Sequence, residues 1–69
     1  MATVEHAIKE NDVVEFTRPI GRWTEGRRGT VVSDYGDVKL IEVSDDRGQM
    51  LDLISVPERQ LRLIAKYSD

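Results

Sequence analysis

The chain has 69 residues, ten Lys or Arg against thirteen Asp or Glu for a net charge of −3, and no cysteine. That length allows one domain near the lower limit of independent folding, with about 3–5 kcal/mol of net stability from a single core. Lack of cysteine excludes disulfides, thiolate metal sites and a cysteine nucleophile, and the acidity is the wrong sign for a domain that neutralises phosphates.

From Met1 to Glu10 there is no apolar run, and Glu5 and Glu10 are charged. Neither a signal peptide nor a membrane anchor is expected, since no later apolar stretch approaches the roughly 18 residues of a span. A soluble cytoplasmic protein is the expectation. Residues 1–7 read as a flexible arm with a frayed head. Thr3 is placed to cap a helical turn over Val4 to Lys9, too short to persist without packing.

Short apolar runs rich in β-branched residues then alternate with glycine or acidic punctuation, the pattern of strands joined by turns. Val13 to Thr17 is the first strand, with Val14 and Phe16 on one face and Glu15 on the other. Pro19, Gly21 and Gly26 forbid regular structure, so Arg18 to Arg28 is a long first loop. Gly29 to Asp34 is the second strand, followed by a turn at Gly36-Asp37. Val38 to Ser44 is the third, with Ile41 and Val43 facing away from Glu42. Asp45 to Gly48 is a hairpin turn with Gly48 at positive φ.

Met50 to Val56 is the fourth strand, and Pro57 ends it because proline cannot donate to a ladder. Pro57 to Gln60 reads as a 3₁₀ turn, Leu61 to Ile64 as a fifth short strand, and residues 65–69 as a frayed tail. The predicted fold is all-β: a small five-stranded SH3-like barrel over residues 8–64, with a long first loop and a 3₁₀ turn before the last strand.

"NDVVEF" followed by "GRRGTVV" resembles the KOW-type half of SH3-like barrels. The longer pattern "DVVEF…GRRGTVVSDYGD…IEVSDDRGQMLDLISVPERQLRLI" is similar to a small bacterial domain-of-unknown-function family. Its members read "DVV", "G..GTVV", "VEF.D..G" and "LP..QL..L", and the likeness runs from about Ile8 to Ile64. The resemblance implies the barrel, no known catalysis, and a partner protein encoded by a neighbouring gene, as for an antitoxin-like or accessory subunit. Arg22-Trp23 and Arg27-Arg28 depart from that pattern by making the first loop richer in arginine. A fainter likeness, to the small peripheral subunit of photosystem I, implies docking to a protein complex.

No constellation for catalysis emerges. His6 is the only histidine and lies in the arm, so no positioned base serves a hydroxyl nucleophile. Asp34/Asp37 and Asp45/Asp46 sit in predicted turns, where aspartate bonds its own backbone. They lack calcium-loop spacing, nothing fits zinc, and "GRWTEGRRGT" lacks the ending of a phosphate loop. No enzyme, metal, cofactor or small-molecule substrate is expected.

Charge is nevertheless uneven. Arg18 to Arg28 holds four arginines and one glutamate, net +3, whereas Asp34 to Asp52 holds six acids against Lys39 and Arg47, net −4. Three readings of the arginine loop stay open. It is a solvated loop whose Arg27 and Arg28 pair with Glu15 or Asp34 while Trp23 covers the open barrel end. Or it binds a protein through Arg18, Arg22, Trp23, Arg27 and Arg28, with Tyr35 lining the adjacent groove. Or it is a KOW-like nucleic-acid module stacking bases on Trp23. Net acidity and a missing second aromatic platform disfavour the last.

The fourth strand carries more apolar residues than one face can bury: Met50, Leu51, Leu53, Ile54 and Val56. Either a bulge near Leu53-Ile54 re-aims one of them, or Leu40, Leu51 and Leu53 form an outward patch for a homodimer or partner. The functional expectation is a non-enzymatic interaction module for a partner protein or a second copy, with an exposed strand edge also open to strand addition.

Overall fold

Alternating side chains produce five strands and one 3₁₀ turn in the computed structural model, which describes residues 8–67. The strands are β1 (Val13–Phe16), β2 (Arg28–Asp34), β3 (Val38–Ser44), β4 (Met50–Pro57) and β5 (Leu61–Ala65); Glu58–Gln60 forms the turn before β5. All pairings are antiparallel, in one sheet of order β4-β3-β2-β1-β5. The sheet does not close into a barrel. Among the described residues no ladder joins β4 to β5, so the five strands of the expected small barrel form an open antiparallel sheet.

One face of that sheet makes the core. Val14, Phe16, Val31, Ile41, Val43 and Val56 are fully buried, with Ile8 and Leu61 nearly so, and Ile20, Trp23, Ile54 and Leu63 pack against them. Val14 and Phe16 face inward as the sequence predicts, and so do Ile41 and Val43. Gly29 is required by close approach rather than by a turn. A Cβ there would lie 2.5 Å from Ile41 Cγ2 and 2.9 Å from the Glu42 carbonyl oxygen. Gly48 has φ of 84° in the β3–β4 hairpin, as expected for its turn.

The predicted bulge exists, but elsewhere. Val43 pairs with Asp52 and Ser44 with Met50, so the extra residue of β4 is Leu51, not one near Leu53-Ile54. Beyond it the alternation is regular, with Ile54 and Val56 inward and Leu53 and Ser55 exposed. Leu51 and Leu53 are 43% and 45% exposed, whereas Leu40, beside Ser55 and Ser33, is half-buried.

The expected frayed tail is corrected as far as Tyr67. β5 runs to Ala65, and the two residues after it are tied to the fully buried Asp12. Asp12 Oδ1 accepts from the Tyr67 N–H at 2.9 Å; its Oδ2 accepts from Lys66 Nζ at 2.9 Å and the Lys9 N–H at 2.8 Å. One carboxylate thus joins both ends of the described chain. The first seven residues, including Thr3, the proposed helical turn at its start and His6, lie outside the described residues, as do residues 68–69.

Burial pushes the Asp12 carboxyl up, but the Tyr67 N–H, the Lys66 ammonium and the Lys9 N–H outweigh it and hold the group below its ordinary value. A carboxylate depressed in the folded state stabilises above its unfolded pKa, near about 3.9, and loses that contribution as pH falls through the folded value. Asp12→Asn should therefore cost about 1–3 kcal/mol at neutral pH and flatten the acid limb of a melting-temperature-against-pH curve. An unchanged acid limb would show that Asp12 is not the group responsible. In the core, Phe16→Ala should cost about 2–5 kcal/mol, enough to abolish a cooperative thermal transition.

Candidate functional site

Arg18 to Arg27 is a solvent-exposed loop tied down at a few points, with Ile20, Trp23 and Arg27 half-buried. Ile20 and Trp23 exchange two backbone hydrogen bonds, Ile20 N to Trp23 O at 3.0 Å and Trp23 N to Ile20 O at 2.8 Å. Gly21, inside this miniature hairpin, has φ of 55°, the left-handed region that suits glycine. Gly26 N donates to Phe16 O, and Phe16 N to Arg27 O, so the loop is sewn back onto the end of β1.

The loop is locked to β4 by one carboxylate. Trp23 is half-buried against the core, and its Nε1 donates to Asp52 Oδ2 at 2.9 Å. Arg22 Nε lies 3.7 Å from the same oxygen, and Arg22 Nη2 donates to the Leu51 carbonyl at 3.1 Å. The guanidinium carbons of Arg22 and Arg27 stand 4.6 and 4.8 Å from the Trp23 ring centroid, within cation–π range. Arg27 Nη2 also donates to Ser44 O at 2.8 Å. Trp23, Arg22, Arg27 and Asp52 make one cluster, flanked by the exposed Met50, Leu51 and Leu53.

The expected carboxylate partners of the loop arginines are not the ones used. Glu15 pairs with Arg62 at 3.2 Å and Asp34 with Lys39 at 2.7 Å, while Arg27 takes a carbonyl and Arg28 is exposed in β2. Geometry explains this. Glu15 and Arg28 are register partners, yet Arg62 stands opposite Glu15 on its other side and takes it. Arg18 is exposed on the loop. Tyr35, 67% exposed, lies just beyond the far end of β2 from Arg28, about 20 Å of strand away. It does not line a groove beside the arginines.

Two functional-looking residues escape a reading by motif. Asp52 reads as a lone acid between leucines, and only the bulge at Leu51 turns it toward Trp23. Lys39 is the second. It is in phase with Ile41 and Val43, the one signal that it points inward, and it is 2% exposed. Its ammonium donates to Asp34 Oδ1 at 2.7 Å and Gly36 O at 2.5 Å, with Glu58 Oε1 at 3.9 Å. Lys9, Asp37 and Ile8 join these residues around a cavity of about 210 Å³. The Lys39 hydrogen bond, with the Gly36 N–H, holds the Asp34 carboxyl below its ordinary value against a smaller effect of burial.

Among the described residues no buried side-chain nitrogen or oxygen lacks a hydrogen-bond partner, and no group of His, Asp or Glu is arranged to hold a metal. No helix among them is long and apolar enough to cross a membrane. No family model matches the chain, and neither does any curated protein or solved structure.

Trp23 is the sole tryptophan, so the cluster has its own optical reporter. Asp52→Ala should shift its emission to longer wavelength as the indole is released to water, and cost about 1–2 kcal/mol in a denaturant melt. An unshifted spectrum would mean that packing alone, without the carboxylate, holds the ring.

Proposed function

We propose that the protein is a small non-catalytic interaction module of SH3-like type that binds a protein partner through the face where the arginine loop meets β4. The strand order, the long first loop and the 3₁₀ turn before β5 support the SH3-like reading, with β4 and β5 as the lips of an unclosed barrel. The observation that carries the binding reading is the exposure of Met50, Leu51 and Leu53 in one run beside a rigidly held arginine–tryptophan cluster. A continuous apolar strip next to ordered arginines is what a partner-facing surface needs at its centre and rim. Leu40 is half-buried on β3, opposite Ser55. Arg18 and Arg28 are exposed positive charges of the loop and of the start of β2.

The buried charges favour this over catalysis. Among the described residues Asp12 and Lys39 are the buried ionisable groups, and each is engaged by the chain's own donors or acceptors. The nucleic-acid alternative loses its platform, because Trp23 has guanidiniums over its ring and its N–H on Asp52. Base stacking would have to displace them.

Capture from the native host should recover a protein that binds wild type and loses about tenfold in affinity, about 1.4 kcal/mol, for Leu51→Ser/Leu53→Ser. Both side chains are exposed, so this variant should melt like wild type. No retardation of single-stranded DNA or RNA is expected at micromolar protein and physiological salt. A salt-sensitive complex abolished by Arg27→Glu/Arg28→Glu would replace the protein-binding reading with the nucleic-acid one.

A further inference from the structure

The free edge of β4 has a pattern of its own. Backbone groups along a strand point alternately toward and away from the neighbouring strand. Two observations give the phase. The Leu53 N–H is bonded to the carboxylate of the preceding residue, Asp52 Oδ1, at 2.9 Å instead of to β3. Pro57, which has no N–H, stands opposite Val38 at the end of the ladder, where only an outward-directed N–H is dispensable. Leu53, Ser55 and Pro57 therefore turn their backbone groups away from β3, at an edge that no other described strand pairs with.

That edge is stopped at both ends. At one, the Leu51 carbonyl is occupied by Arg22 Nη2. At the other, Pro57 offers no donor. Between the stops lie the C=O of Leu53, the N–H and C=O of Ser55, and the Leu53 N–H, which is held by the neighbouring Asp52 side chain; both residues are exposed. From Met50 to Val56 the only charge is Asp52, and Arg22 lies beside it. Natural edges are usually guarded by charge, proline or bulges against pairing with another chain. Over Leu53 to Ser55 the one guard is the Asp52 carboxylate on the Leu53 N–H, which a pairing strand has to displace.

The geometry points to a second copy of this chain as the occupant, paired antiparallel through β4 with Ile54 on the twofold axis; this rests on the interaction-module reading and names its partner. In that register Leu53 exchanges both backbone hydrogen bonds with Ser55 of the second copy, and symmetry repeats the exchange. Leu51 then falls opposite Pro57 of the second copy. The N–H missing from that proline is the one that Leu51 O would have accepted, and Arg22 already supplies it. The two stops thus complement each other across the axis. An extended peptide of other sequence gains nothing from that match, and a charged one meets an edge with no free charge to pair. Asp52 releases only Oδ1, since its Oδ2 keeps Trp23. Half-buried Ile54 meets its counterpart on the inner face, and Leu53 gains cover on the outer one.

Sedimentation velocity of the full chain, with amide hydrogen exchange at low and high concentration, tests this. Wild type should show a monomer–dimer equilibrium between about 1 and 500 µM, as suits a small interface. The Ser55 amide should exchange about tenfold more slowly at the upper end. Ser55→Pro, which deletes an edge donor and no ladder bond, and Leu53→Lys, which adds an edge charge, should each weaken the dimer at least about tenfold. Should both variants lose a cooperative melt, the concentration dependence of the wild-type Ser55 amide decides alone. A wild-type monomer throughout, with a Ser55 amide indifferent to concentration, overturns the proposal, as does a dimer insensitive to both variants. If that monomer still binds a host protein through Leu51 and Leu53, the second copy is wrong and the interaction module stands. If it binds none, both fall.

Discussion

One extra residue in β4, Leu51, sets most of what is distinctive about this molecule. The bulge moves Leu51 out of the ladder and hands its carbonyl to Arg22. It turns Asp52 toward the open end of the core, where the indole of Trp23 reaches it. It also fixes the phase of the remaining strand, so that Ile54 and Val56 fill the core while Leu53 and Ser55 remain on the surface. Without it, Asp52 would trade faces with Leu53, because a one-residue shift inverts every side chain beyond it. The Arg22 contact to Leu51, the Trp23 contact to Asp52 and the inward–outward phase of the rest of β4 follow from a single insertion.

Two buried charges tie together the segments that flank the existing ladders. Asp12 ties Lys9 at the start of the described chain to Lys66 and Tyr67 after β5. Lys39 joins the β2–β3 turn to the 3₁₀ turn, where Glu58 N also donates to Asp37 O at 2.7 Å. A buried ion pair adds little net stability after desolvation, but removing one partner is costly. These groups therefore specify which segments meet more than they deepen the energy minimum. In so small a domain that specification matters, since the core supplies only a narrow margin.

The arginines of the first loop look in sequence like a displayed basic patch. Arg22 and Arg27 instead lie over Trp23 and donate to carbonyls of β4 and β3. A guanidinium stacks and hydrogen-bonds at once because it is planar and weakly hydrated, which a lysine ammonium cannot imitate. The loop is thus stiffened by the residues that appear available for binding. A rigid rim beside an apolar strip loses little entropy on association, which favours a surface for a folded partner.

The strands were legible because alternation of Val14 with Phe16 and of Ile41 with Val43 is a local signal that burial on one face enforces. Turns were equally plain, since Gly48 and Pro57 act through their own backbones. The apolar surplus of β4 was legible as a conflict requiring a bulge or an outward patch of Leu40, Leu51 and Leu53; the bulge lies at Leu51, Leu51 and Leu53 are exposed, and Leu40 is half-buried. Where the bulge falls was not legible, because only the register against β3 decides whether Leu51 or Leu53 leaves the ladder. Nor could sequence tell that Glu15 chooses Arg62 over Arg28, or that Tyr35 lies at the far end of β2 from the arginines. Those outcomes depend on distances between residues far apart in the chain. Local chemistry determined the elements, and tertiary packing alone determined which charges meet and which backbone edge stays open.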